Sequence, residues 1–363
     1  TGTDADGSTP TFSTVLTGTD AADFDLTAGG VLTFKATTDF ENPIDADIDN
    51  VYSITATITD GSNTSTQAIT ITVTDANEAP VIISPSTANA PENLTGAIDV
   101  NHTDQDANPV DTITYTLSGG VDADLFDIDS GTGVVTFKIA PNFEANASNA
   151  GNNDYVIEVT ANDQSGLSNG ALSDTQTITI SVTDVNEAPV FSSSTSLSIN
   201  EGETSVDTVV ASDIDGNGLT YSIDSTGRVD HALFSIDAST GALTMAAPDF
   251  ENATDAFGTA NDNVYGVTVK VTDDGSGALT ATHDISVTVI NTNDNIPSIT
   301  SANAFSVAEG GTAVDTLTGT DADGSTPTFS TVLTGTDAAD FDLTAGGVLT
   351  FKATTDFENP IDA

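Results

Sequence analysis

The chain has 363 residues, with 55 acidic side chains against five basic ones and a formal charge of −50. That balance excludes nucleic acid and anionic membrane surfaces as partners, because both are gripped by basic patches, and it suits multivalent cations or a saline medium. Cys is absent, so no disulfide framework holds the fold together, and no apolar run reaches the length of a transmembrane helix.

High acidity with few aromatics can accompany disorder. Here alternating apolar runs and regularly placed Phe and Tyr argue for folded domains. Residues 1–46 recur without a change as 318–363, an offset of 317. Three proline-ended linkers punctuate the chain: Asp75-Ala76-Asn77-Glu78-Ala79-Pro80, Asp184-Val185-Asn186-Glu187-Ala188-Pro189 and Asn291-Thr292-Asn293-Asp294-Asn295-Ile296-Pro297. Their prolines lie 109 and 108 residues apart, the size of one small domain. The expected domains are therefore 1–78, which lacks its first strand; 79–187; 188–295; and 296–363, the N-terminal part of a further repeat. A segment of a larger repetitive protein is expected. A rival arrangement has separate chains completing each other's terminal domains by strand addition.

The complete second domain serves as template. Its predicted strands are 81–90, interrupted by Pro85 as an edge strand tolerates, then 97–102, 113–117, 126–128, 134–137, 155–160 and 177–182. A Gly-rich turn, Asp129 to Gly133, joins the fourth and fifth. Seven short alternating strands without a helical period predict an all-β Greek-key sandwich, repeated in tandem and joined end to end into a rod. Phe24, Phe126, Phe234 and Phe341 take equivalent hairpin positions. Phe40, Phe143, Phe250 and Phe357 sit inside acidic triplets, and Tyr52, Tyr155 and Tyr265 open the sixth strand. One core per domain accounts for them.

Strand parity sends the acids to the two poles of each sandwich. Glu92, Asn142, Glu144 and the linker groups Asp184, Asn186 and Glu187 fall at the far pole. Asp104, Asp106 and Asp163 fall at the near pole. End-to-end stacking then brings carboxylates separated by tens of residues together at each junction, with linker oxygens from Asp75, Asn77 and Glu78, or from Asn293, Asp294 and Asn295. Calcium takes six to eight oxygen ligands of this kind. The lack of Cys and scarcity of His argue against zinc and copper. Two bare carboxylates about 5 Å apart repel by roughly 3 kcal/mol at an effective dielectric of 20, so a metal-free junction is expected to flex.

These motifs resemble cadherin repeats, specifically the cadherin-like repeats of bacterial extracellular surface proteins. The family's first Glu motif resembles Glu92, Glu201 and Glu309, each 12 residues before the first Asp of an Asp-x-Asp pair: Asp104-Gln105-Asp106, Asp213-Ile214-Asp215 and Asp321-Ala322-Asp323. The family's Asp-Arg-Glu resembles Asp39-Phe40-Glu41, Asp249-Phe250-Glu251 and Asp356-Phe357-Glu358, and its x-Asp-x resembles Asp60, Asp163 and Asp273. The resemblance implies three calcium ions per junction. Two linkers are one residue short of the family pattern and lack its second Asn, Asn291 stands for an Asp, and Asn142 replaces the Asp of one triplet. Two or three ions per junction is the expectation.

Other chemistries fit less well. Asp213 to Gly218 partly resembles an EF-hand loop but lacks flanking helices. Paired carboxylates could serve glycoside hydrolysis, yet they recur in every domain, so no enzyme is expected. His102, His231 and His283 repeat nowhere and are expected to be solvated. The expected function is a calcium-stiffened extracellular filament or stalk of a bacterial surface protein, with further copies of the same repeats as partners. The alternative is calcium-dependent adhesion to itself or to cell-surface glycans.

Overall fold

The computed structural model describes residues 1–106, 112–163 and 170–358, in two compact units, Thr1–Val185 and Asn186–Ala363. In the first unit, one sandwich sheet runs Thr114–Gly119, Asp154–Asn162, Ser173–Thr183, Thr87–Pro91, with the last pair parallel. The facing sheet runs Phe126–Ile128, Val134–Phe137, Gly96–Asp99. Burial along Asp154–Asn162 alternates residue by residue, the period-two signature of a strand with one face on a core. The second unit repeats both sheets with Leu219–Ile223, Val264–Asp273, Thr280–Ile290 and Ser196–Asn200, against Phe234–Ile236, Ala242–Met245 and Ser205–Thr208.

Each core is built on the recurring aromatics. Phe126 and Phe137 lie 4.3 Å apart, and both meet Tyr155 edge-on. Phe24, Phe34 and Tyr52 repeat that trio, and Met245 takes the middle place beside Phe234 and Tyr265 in the second unit. Burying one such ring contributes roughly 1.5–3 kcal/mol. Phe143 and Phe250 pack against their cores from inside the acidic triplets.

Several expected strands are broken, each for a local reason. The segment 81–90 is two strands: Val81–Ile82 pairs with His102–Thr103, and Thr87–Pro91 pairs with the last strand of the opposite sheet. Pro85, without an N–H, sits at the switch. The segment 97–102 divides likewise, because the Val100 N–H is taken by the Gly133 carbonyl at 3.1 Å. Gly133 has φ 78°, and a Cβ there would lie 2.3 Å from the Val100 oxygen, so only glycine fits. In the last segment, only Ser298–Ile299 of the expected first strand forms. The matching segments Thr87–Pro91 and Ser196–Asn200 pair with Ser173–Thr183 and Thr280–Ile290, and among the described residues of 296–358 no strand takes the place of those partners. Phe357 is 84% exposed, unlike Phe143 and Phe250, which pack against their cores.

The histidines are also not simply solvated. His102 Nδ1 lies 2.5 Å from the Tyr115 hydroxyl, and the His283 ring stacks on Phe191 with centroids 4.9 Å apart.

Candidate metal centre

Glu92 ends the strand Thr87–Pro91 and is 1% exposed. Its carboxylate accepts the N–H groups of Phe143 (2.8 Å) and Val185 (2.9 Å), tying the acidic triplet to the linker. Glu201 does the same with Phe250 (3.0 Å) and Thr292 (2.5 Å); the Thr292 N–H is the main reason its pKa is lowered. At the other pole, the second Asp of each Asp-x-Asp pair accepts a linker N–H at 2.8 Å: Asp106 from Glu78, Asp215 from Glu187 and Asp323 from Asn295. The first Asp of each pair, Asp104, Asp213 or Asp321, accepts the N–H of the second. The Asn77 amide donates to Asp163 (2.9 Å) and that of Asn186 to Asp273 (3.2 Å), and both aspartates are buried. A linker clamped this way has a fixed register against the sandwich that follows it.

The clamps gather carboxylates. One oxygen each from Glu41, Asp75, Glu78 and Asp106 lie within 4.8 Å of one another, and the same holds for Glu201, Glu251, Asp294 and Asp323, and for Glu92, Glu144 and Asp184. The first group draws on the triplet of one sandwich, the linker, and the Asp-x-Asp pair of the next. Its electrostatics are those of crowded anions. Burial, then Glu41 and Asp106, push the Glu78 carboxyl up to about 7. Burial and Asp75 raise Glu41. In the second group, burial and Glu201 raise both Glu251 and Asp294. Asp323 is lowered, chiefly by the Asn295 amide, which also donates to Glu251 and Asp294.

The remaining predicted residues and departures have definite places. Asp39 and Asp249 cap the turn after the triplet, accepting the N–H groups of Asn42 (3.1 Å) and Asn252 (3.0 Å). Asn142 accepts the Ala145 N–H in the same way, so the amide preserves the cap. The second Asn of the short linkers is replaced in place: Glu78 and Glu187 hold the position of Asn295 and make its backbone bond. Asn291 donates to the Asp323 carbonyl at 3.3 Å, and Asn293 is exposed.

Three supporting sets were not foreseen. Asp20, Asp122 and Asp230 are buried, and each accepts two N–H groups that pin the loop before the long central strand: Ala46 and Ser53, Asn149 and Val156, Ala256 and Gly266. Asn50, Asn153 and Asn263 adopt φ of 64°, 63° and 65°, and their amides donate to the carbonyls of Phe40, Phe143 and Phe250. They hold the triplets in position. The signals were present as an Asp four residues before each hairpin Phe and an Asn two residues before Tyr52, Tyr155 and Tyr265. Asp45, Asp47 and Asp49 form a further acidic group, in which Asp45 accepts the N–H groups of Asp49 and Asn50.

The residues fit a hard divalent cation. Five buried oxygens around the first group take no hydrogen bond: Asp75 Oδ1, Asn77 Oδ1, Glu78 Oε2, Asp104 Oδ2 and Asp106 Oδ1. Leaving such atoms unpaired is costly, and an all-oxygen donor set is what calcium takes. Glu251 Oε1, in the second unit, is orphaned likewise.

Residues 86–183 match the cadherin domain family. Among curated relatives, Cadherin-7 of Gallus gallus is 29% identical over 256 residues, 65% of this chain and 31% of that protein. Cadherin-2 of Bos taurus is 30% identical over 257 residues, 66% of this chain and 27% of that protein. The chain thus spans less than a third of the length of either relative. Among solved structures, the extracellular cadherin domains 1–5 of protocadherin gamma B2 superpose with a TM-score of 0.51 at 22% identity, covering 96% of this chain and 66% of that one. Family match, sheet order and fold likeness agree: the chain is an all-β tandem of cadherin-like extracellular domains.

Proposed function

We propose that the chain is a calcium-stiffened segment of an extracellular filament or stalk, part of a large bacterial surface protein built from near-identical repeats. The observation that carries this is the convergence of Glu41, Asp75, Glu78 and Asp106, drawn from two sandwiches and their linker, with buried oxygens that take no hydrogen bond. A divalent ion there joins the sandwiches; its removal leaves like charges facing one another. Glu201, Glu251, Asp294 and Asp323 play the same part in the second unit, and two or three ions serve each junction. The unchanged 46-residue recurrence at an offset of 317 fits a protein whose repeats supply length. The partners are further copies of the same repeats.

Imaging of the native assembly tests the proposal. Filaments or stalks that shorten or curl when calcium is chelated are expected, whereas no extended assembly at all would end it. A second function, adhesion, has its own observation: the third sandwich carries Arg228, the chain's one arginine, stacked over Phe257, a pair its sisters lack.

A further inference from the structure

The outer face of the four-stranded sheet in the second unit is covered with hydroxyls. Val264–Asp273 and Thr280–Ile290 bury one face, and Thr268, Thr272, Thr280, Thr282, Ser286 and Thr288 lie on the other. Lys270, paired with Ser222 and Thr282, lies on that face too. Across it reaches Arg228, the only arginine among 363 residues. Its backbone N–H donates to the Thr268 hydroxyl at 3.1 Å, and its guanidinium sits 4.1 Å from the Phe257 ring centroid. Gly266 makes room for that ring, since a Cβ there would come within 2.5 Å of it. Asp284 forms an ion pair with Arg228 Nε at 3.6 Å, longer than a hydrogen bond, and its Oδ1 already accepts the Thr268 hydroxyl at 2.6 Å. Among the described residues none accepts a hydrogen bond from the guanidinium, and Nε is buried.

The sister sandwiches lack this arrangement. Counting from the core tyrosine, Glu158 and Thr160 stand at the places of Thr268 and Lys270 in one, and Thr55 and Thr57 in the other. In a chain of charge −50, a guanidinium stacked on a ring, ion-paired to Asp284 at 3.6 Å and hydrogen-bonded to no acceptor among the described residues, can still take a carboxylate, because its planar fork matches two carboxylate oxygens. The surroundings identify what carries the carboxylate. A protein interface has an apolar core, and on this face the apolar side chains of the two long strands are confined to their ends, Val264 and Ile290. It offers one aromatic ring for C–H contacts and a field of Ser and Thr hydroxyls for ring hydroxyls. A polyanion would be repelled by the net charge, which leaves ligands bearing a single acid group.

We infer that the Arg228–Phe257 face of the third sandwich binds a saccharide bearing a single carboxylate, with Arg228 clamping the acid and Lys270 adding charge. The site lies on one sandwich, so it stands or falls independently of the junction ions. The test titrates the full chain with a glucuronate-terminated disaccharide and with its methyl ester, in calcium and in chelator, followed by NMR or calorimetry. The acid is expected to bind in both media and the ester at least about tenfold more weakly, the loss of one charge-assisted hydrogen bond or more. Arg228→Gln should lose as much for the acid, Arg228→Lys should retain part, and Lys138→Gln on the second sandwich should change nothing. Equal binding of acid and ester, unchanged binding by Arg228→Gln, or no binding of the acid overturns the inference. So does a self-association that Arg228→Gln abolishes, which would assign the carboxylate to a second copy of the chain.

Discussion

Glu78 shows what crowding does to one residue. Burial and the neighbouring Glu41 and Asp106 raise its carboxyl to about 7 without metal, so the folded junction favours the protonated form. A raised folded pKa costs nothing below the unfolded value near 4.5 and its full amount above about 7. The metal-free junction therefore loosens as pH rises through that window. Calcium binds the ionised form and reverses the sign, so a proton must leave on binding below about pH 7. Calorimetry at pH 6 in buffers of different ionisation enthalpy should show proton release and an affinity that climbs toward pH 8; pH-independent binding without released protons contradicts this. Asp122 gives a second residue-scale prediction. Asp122→Ala strands the N–H groups of Asn149 and Val156, which its carboxylate accepts at 2.7 and 2.8 Å. The expected loss is about 3 kcal/mol, measured by urea unfolding. The constant 12-residue interval from Glu to Asp-x-Asp was legible in the sequence because carboxylates of one type recurred. The Asp122 pin was legible only as spacing: Asp20, Asp122 and Asp230 each stand four residues before a hairpin Phe, but nothing in that interval tells that the carboxylate turns inward to backbone N–H groups.

Elements carry the site through two separate links, the sandwich and the linker, and substitutions should tell them apart. Glu251 contributes a carboxylate oxygen to the second unit's cluster while the core around Phe234, Tyr265 and Val287 lies elsewhere. Glu251→Ala should weaken ion binding there by about tenfold or more and leave the melting of that sandwich in chelator unchanged. An equal loss of melting temperature in chelator would show that Glu251 belongs to the fold. The buried face of the long strands was legible at this scale, because alternation fixes which side of a strand is buried, whereas strand number was not, since 81–90 and 97–102 each divide in two. Sheet membership was not: periodicity is blind to a strand that changes partners at Pro85 or Val100. The three asparagines recur two residues before Tyr52, Tyr155 and Tyr265, but their left-handed conformation was hidden, since φ above zero at a non-glycine is set by the loop's closure on the triplet rather than by pattern.

For the whole molecule, charge is the dominant quantity. A net of −50 disfavours compact packing of acidic poles unless cations intervene. Added sodium chloride should raise the melting temperature of the calcium-free chain, since screening shortens the reach of surface repulsion. The calcium-saturated chain should respond much less. A decrease with salt in the calcium-free state would show that favourable ion pairs dominate instead. Five basic residues leave little room for that.

Small-angle scattering of the full chain tests the central claim most directly, with calcium, with chelator, and with a Glu41→Gln, Asp106→Asn variant in calcium. The account predicts a longer maximum dimension and a narrower distribution of shapes in calcium, lost in chelator and partly lost in the variant. Identical profiles for the wild-type chain in calcium and chelator would contradict it.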